Sequence, residues 1–176
     1  TLGSNAFSHC SLLASIDLPD GVISIGDAAF YNCESLRDVS VPTSVVAIGQ
    51  EAFEHTLWLD DQPDGVLYVN DVLYKYKGKM SPNTTIVIRK EVVSVTSKAF
   101  YGCDSLASIV LPDGITSIND ECFSGCSSLQ SIVMPKTVER IGSSALFGCS
   151  SLDTLALPDG IQSIGGRAFA GCNSLT

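Results

Sequence analysis

Cysteine recurs along this chain at a fixed interval. Six of the seven cysteines follow one another at steps of 23, 70, 23, 23 and 23 residues, where 70 is three periods of 23 plus one residue; they are Cys10, Cys33, Cys103, Cys126, Cys149 and Cys172. Leucine follows each of the six by three residues, and phenylalanine precedes five of them by three. A period of this length indicates stacked coils, in which each coil covers the apolar face of its neighbour.

One repeat unit can be read from residues 33–53. Leu36–Val41 ends in alternating apolar residues, which predicts a short strand, and Pro42 ends it because proline has no N–H to donate. Val45–Gly49 predicts a second short extended segment. Ala52–Phe53 follows, and in intact units cysteine and leucine lie three and six residues beyond the phenylalanine. That spacing predicts one face of a short helical turn.

The predicted fold class is therefore an α/β repeat. We expect a right-handed solenoid of short parallel strands and short helical turns that forms a single domain over residues 1–176. The chain begins within a unit, at Leu2–Gly3, and ends just after Leu175. Neither end shows the atypical polar repeat that closes a solenoid. We therefore expect the sequence to be a piece of a longer array.

Residues 57–83 interrupt the repeat and form an irregular unit in place of one coil. Thr56 occupies the cysteine position. Two β-rich runs, 66–69 and 72–77, flank Asn70–Asp71 and predict a β-hairpin in which Val69 faces Val72. On that register Leu67, Val69, Val72, Tyr74 and Tyr76 share one face of the hairpin.

This irregular unit also contains residue types that the regular repeats lack. It holds the only tryptophan and three of the five tyrosines, and six of the ten basic residues lie between positions 75 and 98. Aromatic and cationic side chains are enriched in binding hot spots, which makes Trp58, Tyr68, Lys75 and Lys77 candidate partner contacts. The alternative is that the hairpin only replaces a coil and packs its apolar face on the neighbouring repeats.

The outward positions of the first strands form a second candidate surface. Asp17 and Asp38 lie there. The other predicted outward residues are small and weakly charged: Ser15, Ser40, Ser108, Val110, Ser131, Val133, Thr154 and Ala156. Such a face favours a flat contact that depends on shape.

Composition and spacing argue against several functions. A net charge of −9 opposes nucleic acid and anionic membranes, and no apolar run is long enough for membrane insertion. His9 and His55 lie two periods apart, so they would be about 10 Å apart in stacked coils, too far to share a zinc ion. The cysteine column is interpreted as buried free thiols. We expect no cofactor, no metal site and no catalytic residues, so the chain is not predicted to be an enzyme.

The consensus Cys-x-x-Leu-x-x-Ile-x-Leu-Pro-x-x-Val-x-x-Ile-Gly-x-x-Ala-Phe resembles the BspA-like, 23-residue class of leucine-rich repeat, over residues 1–56 and 84–176. The resemblance implies a secreted or surface-anchored bacterial protein, with adhesion or host-protein binding attributed to some members. The expected function is a non-catalytic extracellular protein that presents a surface to a protein or glycan ligand. The alternative is a structural spacer within a larger cell-surface protein.

Overall fold

The chain winds into a solenoid of short strands joined by turns. The computed structural model describes residues 1–176 and contains one helix, α1 (Leu57–Asp60), and thirteen strands. The strands are β1 (Ser15–Asp17), β2 (Ser24–Ile25), β3 (Asp38–Ser40), β4 (Ala47–Ile48), β5 (Gly65–Val69), β6 (Val72–Lys77), β7 (Thr84–Val87), β8 (Ser94–Val95), β9 (Leu106–Val110), β10 (Ser117–Ile118), β11 (Ser131–Val133), β12 (Arg140–Ile141) and β13 (Ser163–Ile164). α1 is far too short to span a bilayer, and there is no other helix that could do so.

The first strands of successive coils pair in parallel, as the repeat predicts. β1 pairs with β3, and β9 lies between β7 and β11 in a three-stranded sheet. Equivalent repeat positions face each other, for example Ile109 and Ile132. Both isoleucines are buried, whereas Ser131 and Val133 on either side of Ile132 are exposed. The segment 154–156 of a later coil is not a strand.

The second strands form another parallel column: β2 pairs with β4, β6 with β8, and β12 lies between β10 and β13. The coils approach each other closely where this column ends. A Cβ placed on Gly49 would lie 2.3 Å from the backbone nitrogen of Asp27 in the preceding coil. The Asp27 carboxylate accepts a hydrogen bond from the Gln50 N–H at 2.9 Å. Glycine at this position therefore allows the backbones to meet.

The predicted short helical turns do not form, and this part of the fold class is corrected. The segments are runs of hydrogen-bonded turns in which every fourth residue has a positive φ, such as Ala28 (52°) and Asn32 (59°). A left-handed residue breaks an α-helix. The N–H groups of Ala28, Phe30 and Asn32 instead donate to carbonyl oxygens of the next coil, at 2.8–3.0 Å. The three-residue spacing of phenylalanine, cysteine and leucine arises from these successive turns, because a run of turns, like a helix, directs every third side chain into the interior.

The interior is a stack of equivalent apolar side chains. The rings of Phe7, Phe30 and Phe53 stack at centroid distances of 5.5 and 5.4 Å, and those of Phe100 and Phe123 at 5.4 Å. All but Phe7, in the first coil, are fully buried. Each coil therefore depends on its neighbours for cover, which is why the repeat must be stacked.

The cysteines are free, and their burial follows their place in the stack. Cys33, Cys122, Cys126 and Cys149 are buried, and Cys103 and Cys172 are half-buried. Cys10, in the first coil, is exposed, so it departs from the expectation of uniformly buried thiols.

The predicted hairpin forms from β5 and β6, with Val69 opposite Val72 and Asn70 at φ 52° in the turn. A register shift between Leu67 and Tyr68 places Leu67 opposite Lys75, so Tyr74 is the extra residue on β6. The side chain of Tyr76 consequently packs against the buried residues of the coils that follow the hairpin. The side chain of Tyr74 packs against those of the coils that precede it. The expectation that these two tyrosines share a face is wrong because the bulge intervenes.

α1 and the loop after it interrupt the first-strand column between β3 and β7. Thr56 begins the helix, because its hydroxyl oxygen accepts a hydrogen bond from the Leu59 N–H at 3.1 Å. The same hydroxyl donates to the Phe53 carbonyl at 2.7 Å. Thr56, which stands in place of the repeat cysteine, thus forms its hydrogen bonds within its own coil and begins the irregular unit.

Candidate functional site

The turn segments of successive coils, such as residues 28–32, form one side of the solenoid, which we call the turn side. A groove opens on this side where the hairpin replaces a coil. Its volume is about 420 Å³. The floor is the segment 74–76 of β6, which passes through as extended strand instead of forming turns. The walls are Glu51–His55 of the preceding coil and Thr96–Tyr101 of the following one, and Tyr31 lies at the edge. We call this feature the hairpin groove.

The hairpin groove interrupts the ladder of hydrogen bonds between turn segments. In the neighbouring coils, residues such as Ala28, Asn32 and Lys98 donate their N–H groups to the next coil. The equivalent N–H groups of Glu51 and His55 have no partner in the protein. Because N–H groups in this column point toward the next coil, these two face the groove.

The opposite wall carries free acceptors. The carbonyl oxygens of Ser97 and Tyr101 occupy positions that accept a hydrogen bond from the preceding coil elsewhere in the stack, and neither accepts one. Between them, the Ala99 carbonyl accepts from the Tyr76 N–H at 2.7 Å. The groove therefore presents two free backbone donors on one wall and two free backbone acceptors on the other.

Two ion pairs line the hairpin groove. Lys75 Nζ lies 2.7 Å from Glu54 Oε1, which joins the floor to one wall. Lys98 Nζ lies 3.4 Å from Glu51 Oε1, which joins the two walls. These side chains are partly exposed, so the pairs add little to stability. Their two positive and two negative charges leave the lining without net charge.

Aromatic side chains surround these charges. The rings of Tyr31 and His55 meet edge to face, with centroids 5.1 Å apart. Tyr101 lies on the opposite wall with 59% of its surface exposed, and Lys98 Nζ lies 6.0 Å from its ring centroid. Tyr76 packs against Phe100 below. The rim thus has exposed aromatic surface on both sides.

Tyr74 seals the bottom of the groove. Its phenolic oxygen accepts a hydrogen bond from the Phe53 N–H at 3.0 Å, in the place that a backbone carbonyl takes in regular coils. Burial is the main cause that raises the pKa of Tyr74 far above its ordinary value, and the charge of Glu54 adds to it. Tyr74 therefore stays protonated and structural.

The structure brings one of the sequence-predicted contacts to this groove, Lys75. Lys77 instead donates to the carbonyl oxygens of Asp60 and Gln62, at 2.6 and 2.5 Å, and so ties β6 to the end of α1. Trp58 is half-buried with its ring 4.5 Å from that of Phe53.

The remaining predicted contacts lie on other surfaces. Tyr68 is half-buried, and the guanidinium of Arg89 lies 4.1 Å from the centroid of its ring. Asp17 and Asp38 are exposed on neighbouring strands, where Asp17 faces Ser40. The six candidates thus do not form one site.

Sequence reasoning did not identify the aromatic rim. Tyr31 and Tyr101 both directly follow the repeat phenylalanine, and His9 and His55 follow it by two residues. Their shared positions could have indicated one exposed column on the turn side. The groove itself had no such signal, because it arises from the path of β6. No group of three or more histidine, cysteine or acidic side chains is placed to hold a metal ion.

The chain is similar to a known repeat family and to solved structures of bacterial proteins. The model of the BspA type leucine rich repeat region matches residues 1–61 and 73–176 in six copies. A leucine-rich cell surface protein from Faecalibacterium prausnitzii A2-165 is similar in structure, with TM-score 0.57 and 26% identity; the match covers 99% of this chain and 61% of that one. The pneumococcal vaccine antigen PcpA has TM-score 0.61 and 23% identity, over 98% of this chain and 52% of that one.

The chain spans between half and two thirds of the length of these two structures. No curated protein matches the sequence. The repeat model covers all of the chain except residues 62–72 within the irregular unit, and the stacked coils show the architecture that its consensus requires. The chain belongs to the BspA-type leucine-rich-repeat family.

Proposed function

We propose that this chain is a non-catalytic binding segment of an extracellular or cell-surface bacterial protein, and that it holds a protein or glycan partner in the hairpin groove. The observation that carries the proposal is the coincidence of free backbone donors, free backbone acceptors and exposed aromatic rings in one cavity. Between the other neighbouring coils, the turn segments satisfy these hydrogen bonds with one another. The groove's volume of about 420 Å³ lies within the range of ligand sites.

The family supports this assignment at a coarse level. The structurally similar protein of F. prausnitzii is described as a cell surface protein. Leucine-rich repeats generally serve as binding surfaces, because the stack displays side chains over an extended area. The hairpin groove would provide this chain with a specific binding site within that general role.

A structural spacer is the second candidate, and the strand face favours it. The outward residues of β9 and β11 are serine and valine, and Ser131 donates a hydrogen bond to Ser108 at 2.9 Å instead of facing a partner. Small side chains of this kind provide few anchors for binding. The spacer hypothesis therefore predicts no specific binding by the isolated segment.

Surface plasmon resonance separates these functions. The purified chain is passed over immobilised mucin and a panel of extracellular-matrix proteins. The double substitution Tyr31→Ala/Tyr101→Ala removes the groove rim, and Asp17→Ala/Asp38→Ala is the matched control on the strand face. We expect binding that the rim substitution weakens and the control leaves unchanged, with equal melting temperatures.

Two results would contradict the groove as the site. Loss of binding in the Asp17→Ala/Asp38→Ala protein alone would place the partner on the strand face. Absence of binding to every surface would instead support the spacer function.

A further inference from the structure

We propose that the ligand of the hairpin groove is an uncharged oligosaccharide of a few sugar units. This inference rests on the proposed function and names the chemical class of the partner. The chemistry of the groove selects it in three respects: charge, hydrogen-bond geometry and aromatic surface.

The charge of the groove disfavours an ionic ligand. Glu51 is paired with Lys98, and Glu54 with Lys75. Because the lining is neutral overall, it offers no net attraction to an acidic or a basic ligand, and a charged ligand would compete with an existing ion pair. Sugar hydroxyls donate to carboxylates and accept from ammonium groups without changing the balance. The overall charge of −9 further disfavours acidic ligands.

The positions of the free backbone groups disfavour a peptide strand. A peptide that restored the ladder would have to run past Phe53 and Ala99, between the outer free groups. The backbone groups of these two residues already have partners within the protein. The Phe53 N–H donates to the Tyr74 hydroxyl, and the Ala99 carbonyl accepts from the Tyr76 N–H. What remains is separate donors and acceptors on two walls. Hydroxyl groups that project in several directions from a sugar ring can reach such isolated partners.

The aromatic rim provides the apolar part of the recognition. Pyranose rings have C–H faces that pack against the negative faces of aromatic rings. Tyr101 exposes 59% of its surface on one wall, and Tyr31 and His55 form an edge-to-face pair on the other. The cavity of about 420 Å³ lies within the range of small-molecule sites.

Saturation-transfer difference NMR and calorimetry test the proposal directly. The probes are maltotriose, cellotriose, triacetylchitotriose and lacto-N-tetraose, with trigalacturonic acid as the charged comparison. We expect saturation transfer to at least one uncharged probe and none to trigalacturonic acid. Tyr101→Ala should weaken binding about three- to tenfold. Asp17→Ala, on the strand face, should leave the affinity unchanged.

Glu51→Gln gives a second, independent readout. It leaves Lys98 unpaired and makes the groove net positive, so binding of trigalacturonic acid should appear. The proposal is overturned if no uncharged probe binds, or if the probe that binds has the same affinity for the Tyr101→Ala protein as for the unchanged protein.

Periodate oxidation of the immobilised mucin distinguishes this inference from the proposed function. Oxidation destroys sugar diols, so binding that depends on the groove should disappear. If rim-dependent binding persists after oxidation, or is confined to an unglycosylated matrix protein, the groove binds protein: the saccharide inference fails and the proposed function stands. If no immobilised surface and no sugar binds, both fail.

Discussion

The thiol of Cys149 donates a hydrogen bond to the carbonyl oxygen of Phe123 in the preceding coil, at 3.2 Å. Cys33, Cys126 and Cys172 make the same contact with a carbonyl 26 residues earlier. A thiol is small and apolar enough for the core and can still satisfy an oxygen there. The recurrence of cysteine is thus explained by packing and one weak bond, without disulfides.

Replacement of Cys149 tests this explanation. Cys149→Ala removes both the weak hydrogen bond and a buried sulfur atom, so the free energy of unfolding should fall by about 1–3 kcal/mol. Cys10→Ala is the matched control, because Cys10 is exposed in the first coil; its effect should stay within about 0.5 kcal/mol. Urea unfolding under reducing conditions measures both. Equal effects would show that the thiol column does not stabilise the stack.

The same thiols predict how stability depends on pH. Burial raises the pKa of Cys149 from 9.0 to about 12, and burial together with the charge of Asp104 raises the pKa of Cys103 to about 11. The unfolded chain therefore loses these protons first, near pH 9. Their stabilisation is fully present below pH 9 and is lost as the pH rises toward 11–12.

The free energy of unfolding should consequently fall as the pH rises from about 9 toward 10.5, by up to roughly 1 kcal/mol per pH unit for Cys149. Urea unfolding at several pH values measures the slope, and Cys149→Ala should reduce it. A stability that increases over this range would contradict the assignment of buried, protonated thiols.

A glycine in the second-strand column gives a steric prediction. Gly49→Ala would place a methyl group 2.3 Å from the backbone nitrogen of Asp27, where neither backbone can move freely. We expect a loss of about 1–3 kcal/mol. Gly166→Ala is the control, since nothing lies within 4 Å of its added methyl group and its φ is not positive. Thermal unfolding distinguishes the two, and similar melting temperatures would mean that the coils can separate at Gly49.

The stacking and the hairpin could be predicted from the sequence because both depend on local spacing. The 23-residue interval fixes which residues face each other in neighbouring coils, as Ile109 and Ile132 do. The β-rich runs around Asn70–Asp71 fix the pairing of Val69 with Val72.

The turns and the groove could not be read in the same way. Apolar residues spaced by three fit a helix and a run of turns equally. Asn32 and Gly102, at the same repeat position, indicate left-handed residues that favour turns. The groove depends on the bulge at Tyr74 and on the ladder partners that Glu51 and His55 lack, which are long-range relationships.

The hydroxyl of Tyr74 connects the hairpin to the preceding coil through the Phe53 N–H. Its removal therefore tests how the irregular unit is held in the stack. Tyr74→Phe retains the buried ring but leaves the Phe53 N–H without an acceptor in the core. An unsatisfied buried donor costs about 1–3 kcal/mol, so the free energy of unfolding should fall by that amount.

The matched control for Tyr74→Phe is Tyr76→Phe, two residues along the same strand. The Tyr76 ring is half-buried against Phe100. Its hydroxyl makes no hydrogen bond within the protein, so its removal should change the free energy of unfolding by no more than about 0.5 kcal/mol. Urea unfolding compares the two proteins, and amide hydrogen exchange at Phe53 locates the effect, because this N–H should exchange faster in Tyr74→Phe alone. Equal stabilities and unchanged exchange would show that the phenol does not replace the missing carbonyl as the acceptor of the Phe53 N–H.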